Sequence, residues 1–170
     1  MSQLRKSLWA ILPLIIIVAL AYWIITTHQH KIDRSARVVE WIRNPHLHAD
    51  WQVQAKQRCQ HAPFIIPTAG YIGFLWDDSF YMGHRHQGID IFSGTDVNTA
   101  PVYAAYPGYL TRLEDWVSSV IIRIPEDPLQ AGRQIWIYYT HMAGPEGESY
   151  ISQDFPAGSH EIPVQAGELL

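Results

Sequence analysis

A single cysteine, Cys59, is the only thiol among 170 residues. That excludes an internal disulfide framework and a cysteine-rich zinc site, and leaves Cys59 as a lone thiol. Basic residues are also scarce, 12 Lys and Arg against 16 Asp and Glu, and they nowhere form a run. A nucleic-acid surface needs clustered positive charge to displace counterions, so no nucleic-acid partner is expected. Internal repeats and low-complexity tracts are absent. The chain is also too short for two large cores, but with 48% apolar residues it can pack one domain and carry a tail.

Long hydrophobic runs are not scarce. From Ser7 to Thr27 no residue is charged, and Leu, Ile, Val, Ala and Trp dominate. About 20 apolar residues cross a bilayer as a helix, so the length predicts a transmembrane anchor. Arg5 and Lys6 precede the run, and the positive-inside bias then exports the C-terminal part. The alternative is a cleaved signal peptide, with Ala19-Leu20-Ala21 as a small-residue cleavage site. Tyr22-Trp23-Ile24-Ile25 favours the anchor by staying apolar where a signal peptide turns polar. The expected location is the cell membrane, single-pass, with an extracytoplasmic C-terminal domain, or secretion after cleavage.

Beyond the anchor, Asp33 is placed to cap a short connector helix ending near Arg43. Val38, Trp41 and Ile42 lie on one face, and Asn44-Pro45 stops it. Residues 44–62 read as a linker or a second short helix. From Pro63 onward, short β-type runs alternate with Gly and Pro turns. Strands are expected over 69–75, 88–92, 102–105, 108–114, 116–124 and 134–141, and another begins near Val164. Loops are expected at 77–83, 93–101 and 143–160. Trp76, Tyr81, Trp116, Trp136 and Tyr138 read as core and groove wall. The predicted fold class is mostly β: an antiparallel sandwich or barrel-like domain over 63–170, incomplete at its C-terminus. It follows a stub and transmembrane helix over 1–31 and a juxtamembrane helix and linker over 32–62.

Nine histidines direct attention to metal-ligand spacing, and the informative cluster is Gly83-His84-Arg85-His86-Gln87-Gly88-Ile89-Asp90. Zinc donors sit about 2 Å from the ion and so within a few ångströms of one another. Four residues of extended strand span roughly 13 Å, too far for His86 and Asp90 to share an ion. A shared ion therefore requires a bend, and Gly88 is the residue that permits one. On spacing alone, surface histidines beside a turn aspartate remain an equal reading, because His-x-Gly-x-Asp is a short pattern.

The surrounding segments favour a metal site. His86-Gln-Gly-Ile-Asp90-Ile-Phe is followed by Pro101-Val-Tyr-Ala-Ala with Gly108-Tyr-Leu. Ile137-Tyr-Tyr-Thr-His141-Met and Val164-Gln-Ala-Gly-Glu-Leu-Leu170 come next. In order and spacing these segments resemble the lysostaphin-like (LytM-type) zinc metallopeptidases, from about residue 63 to the end. The resemblance implies an antiparallel β core, a zinc cofactor and peptidoglycan peptides as substrate. It implies His86 and Asp90 as two zinc ligands, and His141 as a catalytic partner of the metal-bound water, with Met142 where the family has Leu. The family's third ligand is the second histidine of a His-x-His motif that follows an Ala-Gly-x-Leu-Ile turn, and the first of that pair assists catalysis. The sequence stops at Leu170 inside this turn, so the expectation is a C-terminally incomplete chain, inactive as it stands. His48 in Pro45-His-Leu-His48, His160, and His84 in place of His86 are the alternative ligands. The rival function is a non-catalytic relative that binds cell wall or activates another hydrolase. A β adaptor with incidental histidines is the third reading.

Overall fold

The structure is a computed structural model that describes residues 2–78 and 83–170, and within its first helix only the side chains of 13–26 and 34–43. Tyr81, the middle of the 77–83 loop and the side chains of His28 and His30 lie outside the described residues. The first element, α1, is a continuous α-helix, Ser2–Arg43. No Gly or Pro occurs between Leu14 and Arg43, so nothing interrupts the backbone ladder at Asp33. The Thr26 hydroxyl donates back to the carbonyls of Tyr22 and Trp23, both at 3.0 Å, and so sits inside the helix without breaking it. Asn44-Pro45 ends α1 as expected, and Pro45–Trp51 continues as 3-10 helix with a kink at His48.

Two expectations are overturned here. The anchor and the connector are one helix, not two. Among the described residues, moreover, no helix is long and apolar enough to cross a membrane, so the expected transmembrane helix is not found.

Seven strands occur among the described residues, all short: β1 Gln52–Val53, β2 Gly70–Phe74, β3 Asp90–Phe92, β4 Gly108–Thr111, β5 Val120–Ile124, β6 Ile135–Tyr139 and β7 Ile162–Val164. They form one sheet in the order β1-β2-β3 and another in the order β6-β5-β4-β7. The pairings β1–β2, β4–β5, β4–β7 and β5–β6 are antiparallel. With strands of two to five residues beside a helix of 42, the fold is mixed α and β, not the mostly β sandwich or barrel expected. The antiparallel pairing was foreseen, but turn chemistry trims every strand. The 102–105 segment forms only an isolated bridge, Tyr103 to Leu169. Pro163 is tolerated because β7 is an outer strand, where a missing N–H breaks no ladder bond on its free side.

The chain divides into two compact units: residues 1–43 with 73–90, and residues 44–72 with 91–170. In the second, alternation along β5 buries Val120, Ile122 and Ile124. They pack with Leu110, Val164, Tyr139, Met142, Ile151, Phe155, Leu170, Ala104 and Ala105 into one core. The buried guanidinium of Arg112 holds the neighbouring loops through the carbonyls of Trp116 and Phe155 and the Ser149 hydroxyl. On the opposite face of β6, Trp136 and Tyr138 are exposed, as is Trp76 in the first unit, so these three aromatics are not core.

Tyr139 joins β6 to the 102–105 segment: its hydroxyl oxygen accepts the Ala105 N–H at 2.7 Å. Burial pushes the phenol up from 10.0 to about 12, against the opposing pull of the Ala105 N–H. Because the neutral form is favoured in the fold, this contribution is intact below pH 10.0 and is lost as pH rises toward about 12. Thermal melts of Tyr139→Phe should therefore show a shallower loss of stability across that window than the parent chain. At neutral pH the variant should be about 1–3 kcal/mol less stable, because the Ala105 N–H is left unpaired. Equal alkaline slopes in the two proteins would contradict this assignment.

Candidate metal-binding site

Residues 83–90 alternate between exposed and half-buried positions, with His84, His86, Gly88 and Asp90 on the half-buried side and Arg85, Gln87 and Ile89 outside. A two-residue period therefore sets the facing of both candidate ligands. The chain also bends at Gly88. The imidazole lies over this glycine, whose Cβ, if it had one, would stand 3.9 Å from Cε1 and Nε2 of His86. The outcome is convergence: His86 Nε2 is 3.1 Å from Asp90 Oδ1, with the imidazole 15% and the carboxylate 30% exposed.

The ring is held from its other side. His86 Nδ1 lies 3.1 Å from the Leu75 carbonyl oxygen, an atom that only accepts, so Nδ1 carries the hydrogen and donates. The ring edge also meets Phe74 in a T-shaped contact with centroids 6.3 Å apart. Main-chain bonds fix the segment: His86 N–H donates to the Asp78 carbonyl and Asp77 N–H to the His86 carbonyl, both at 2.8 Å. Asp77 sits in the left-handed region at φ 67, which turns the chain between these bonds. Arg85 and Asp77 form an exposed ion pair at 3.4 Å, which adds little.

This arrangement has a chemical consequence. With Nδ1 donating, a neutral His86 presents its Nε2 lone pair to a carboxylate oxygen. Two acceptors facing each other at 3.1 Å repel unless a proton or a cation lies between them. Tetrahedral zinc with bonds near 2.05 Å sets its donors about 3.3 Å apart, within a few tenths of an ångström of the separation here. A donor set of one imidazole and one carboxylate, with the second imidazole nitrogen bonded to a carbonyl, also suits the ion. The separation suits two positions of a zinc site and equally an imidazolium–carboxylate ion pair. Among the described residues, no group of three or more His, Cys, Asp or Glu side chains could hold a metal.

The other candidates fall elsewhere. His141 belongs to the second unit, two residues beyond β6 rather than within a strand. Its φ is 66 and its side chain is exposed. The buried neighbours Tyr139 and Met142 hold it there, with the Met142 N–H donating to the Ser118 carbonyl at 3.0 Å. His48 stacks on Trp51 with centroids 3.9 Å apart, and His160 is exposed. His84 shares the half-buried side of its segment, but His86 is the residue beside Asp90.

Sequence reasoning missed Leu75, Asp78 and Arg34. A backbone carbonyl acceptor has no residue signature, and the ion pair of Arg34 with Asp78 at 2.6 Å joins positions 44 apart. The one available signal was the adjacent pair Asp77-Asp78, which is typical turn chemistry. Compared with family models, curated proteins and solved structures, the chain matches none.

Gly88 does permit close approach, but not through a left-handed backbone, since it is not among the positive-φ glycines. Gly88→Ala should therefore fold and keep the 86–90 approach, shifting stability by less than about 1 kcal/mol. Gly70→Ala is the contrast: φ is 147 and a Cβ would lie 2.3 Å from the Phe92 carbonyl oxygen, so it should lose several kcal/mol. Denaturant titrations of both variants check this, and comparable losses would contradict it.

Proposed function

We propose that this chain carries part of a zinc-dependent endopeptidase acting on peptidoglycan peptides, with His86 and Asp90 as two of the metal ligands. The observation that carries the reading is the 3.1 Å approach of His86 Nε2 to Asp90 Oδ1 while Nδ1 is tied to the Leu75 carbonyl. Donor atoms at that separation are close enough for both to reach one ion. When bound there, zinc supplies an acidified water and polarises the scissile carbonyl. His86 and Asp90 would hold it, and the Leu75 carbonyl keeps the imidazole in the ligating tautomer. The partial exposure of both side chains leaves the pair open to further ligands and to substrate.

The roles of His141 and of peptidoglycan come from the resemblance to lysostaphin-like peptidases. By that resemblance His141 is the residue that would orient the reacting water or donate to the developing oxyanion; it belongs to the second unit, and His86 and Asp90 to the first. The resemblance draws its third ligand from a His-x-His strand following the Ala166-Gly167 turn. The proposal requires the domain to meet wall polymer outside the cytoplasm and makes no use of a membrane span. A non-catalytic wall-binding or hydrolase-activating domain is the second reading, since the 3.1 Å His86–Asp90 separation is equally that of an ion pair holding no metal.

Zinc titration and lysis of purified cell walls by the protein test the reading. His86→Ala should abolish both while leaving the circular dichroism unchanged. His141→Asn should retain zinc and lose at least about 100-fold in lysis rate. Asparagine tolerates the left-handed backbone, so its stability should match the parent. Undiminished lysis in His86→Ala removes the proposal, and zinc uptake without lysis in the parent favours the binding module.

A further inference from the structure

Asp78 touches no metal in the reading above, yet the bonds that orient His86 converge on it. Its carbonyl accepts the His86 N–H at 2.8 Å, which places the histidine along the chain. Its own N–H donates to the Leu75 carbonyl at 3.1 Å, and its carboxylate accepts the Leu75 N–H at 2.6 Å. These two bonds close the 75–78 turn from both sides. They fix the direction of the carbonyl that receives His86 Nδ1–H at 3.1 Å. The same carboxylate oxygen, Oδ2, accepts from the Arg34 guanidinium of α1 at 2.6 Å. Arg34, Asp78 and His86 all belong to the first compact unit, so the chain of contacts is continuous within it.

We infer that Asp78 is a positioning residue. Held by Arg34, it sets His86 in the tautomer with Nδ1 protonated and Nε2 free to face Asp90. The inference rests on the metal reading of the His86–Asp90 pair and deepens it. A carbonyl oxygen accepts only from a protonated Nδ1, so a turn that loses its direction frees the ring to take the other tautomer or rotate away from Asp90. Loss of a fixed acceptor behind a metal-ligating histidine weakens metal binding by about 10–100-fold. The 24% exposure of the Asp78 side chain keeps the Arg34 pair out of bulk solvent without burying it fully.

The test combines nitrogen-15 NMR of the His86 ring in the metal-free full chain at pH 8 with Zn2+ titration of the parent, Asp78→Ala, Asp78→Asn and Arg34→Gln. The parent should show Nδ1 protonated. Asp78→Ala should shift toward the mixed tautomers of free imidazole and lose about 10–100-fold in zinc affinity. Asp78→Asn keeps an amide oxygen for the Leu75 N–H and should recover most of both. An unchanged tautomer in Asp78→Ala, or zinc affinity within twofold of the parent, overturns the inference. If Asp78→Ala does not fold, Arg34→Gln decides instead: the same tautomer shift supports the inference and its absence overturns it. A parent that takes up no zinc defeats the metal reading, and the tautomer measurement alone then decides the role of Asp78.

Discussion

The approach of an imidazole nitrogen to a carboxylate oxygen, His86 to Asp90 at 3.1 Å, is the constraint on which the functional account depends. It is unfavourable as two facing lone pairs and favourable only with a positive charge between them. Proteins keep such pairs where a proton or a metal occupies the gap, and the bonds around His86 suit either occupant. A carbonyl fixes the far nitrogen, and a turn closed by Asp78 fixes the carbonyl. Main-chain bonds on both sides of His86 hold the loop in register. Each layer constrains the next inward, which is how a small loop region holds two donors at ion-sharing distance.

The first unit is mostly the long helix that supplies Arg34, and the rest is the end of β2, a turn, a bend at Gly88 and Asp90 at the start of β3. The second unit has the larger core. There β5, central to its sheet, buries every second side chain against loops that Arg112 binds through their carbonyls. His141 projects from this unit in a backbone conformation that histidine seldom takes. Tyr139 and Met142, both buried, hold the chain on either side of it.

Much of the site was legible in the sequence because it rests on local spacing. Four residues of strand cannot bring His86 to Asp90, so a bend had to lie between them, and one does at Gly88. Gly88 adopts no left-handed backbone, and a Cβ there would stand 3.9 Å from the imidazole, so the bend does not depend on its being glycine. The supporting shell was illegible because it depends on a main-chain carbonyl and on a long-range pair between Arg34 and Asp78. The fold class was misread for a related reason. Gly and Pro spacing revealed where strands turn but not how short they are, and the absence of a breaker through Asp33 outweighed a capping signal there. The expected membrane crossing rested on apolar length alone, and among the described residues no helix provides it.

X-ray absorption at the zinc edge of the zinc-loaded protein tests the central claim most directly. The account predicts imidazole nitrogen and carboxylate oxygen among the zinc neighbours at about 2.0–2.1 Å, with the contributions of His86 and Asp90 lost when the two are replaced together. A zinc environment that is unchanged by that double replacement, or that contains only water oxygens in the parent, would contradict it.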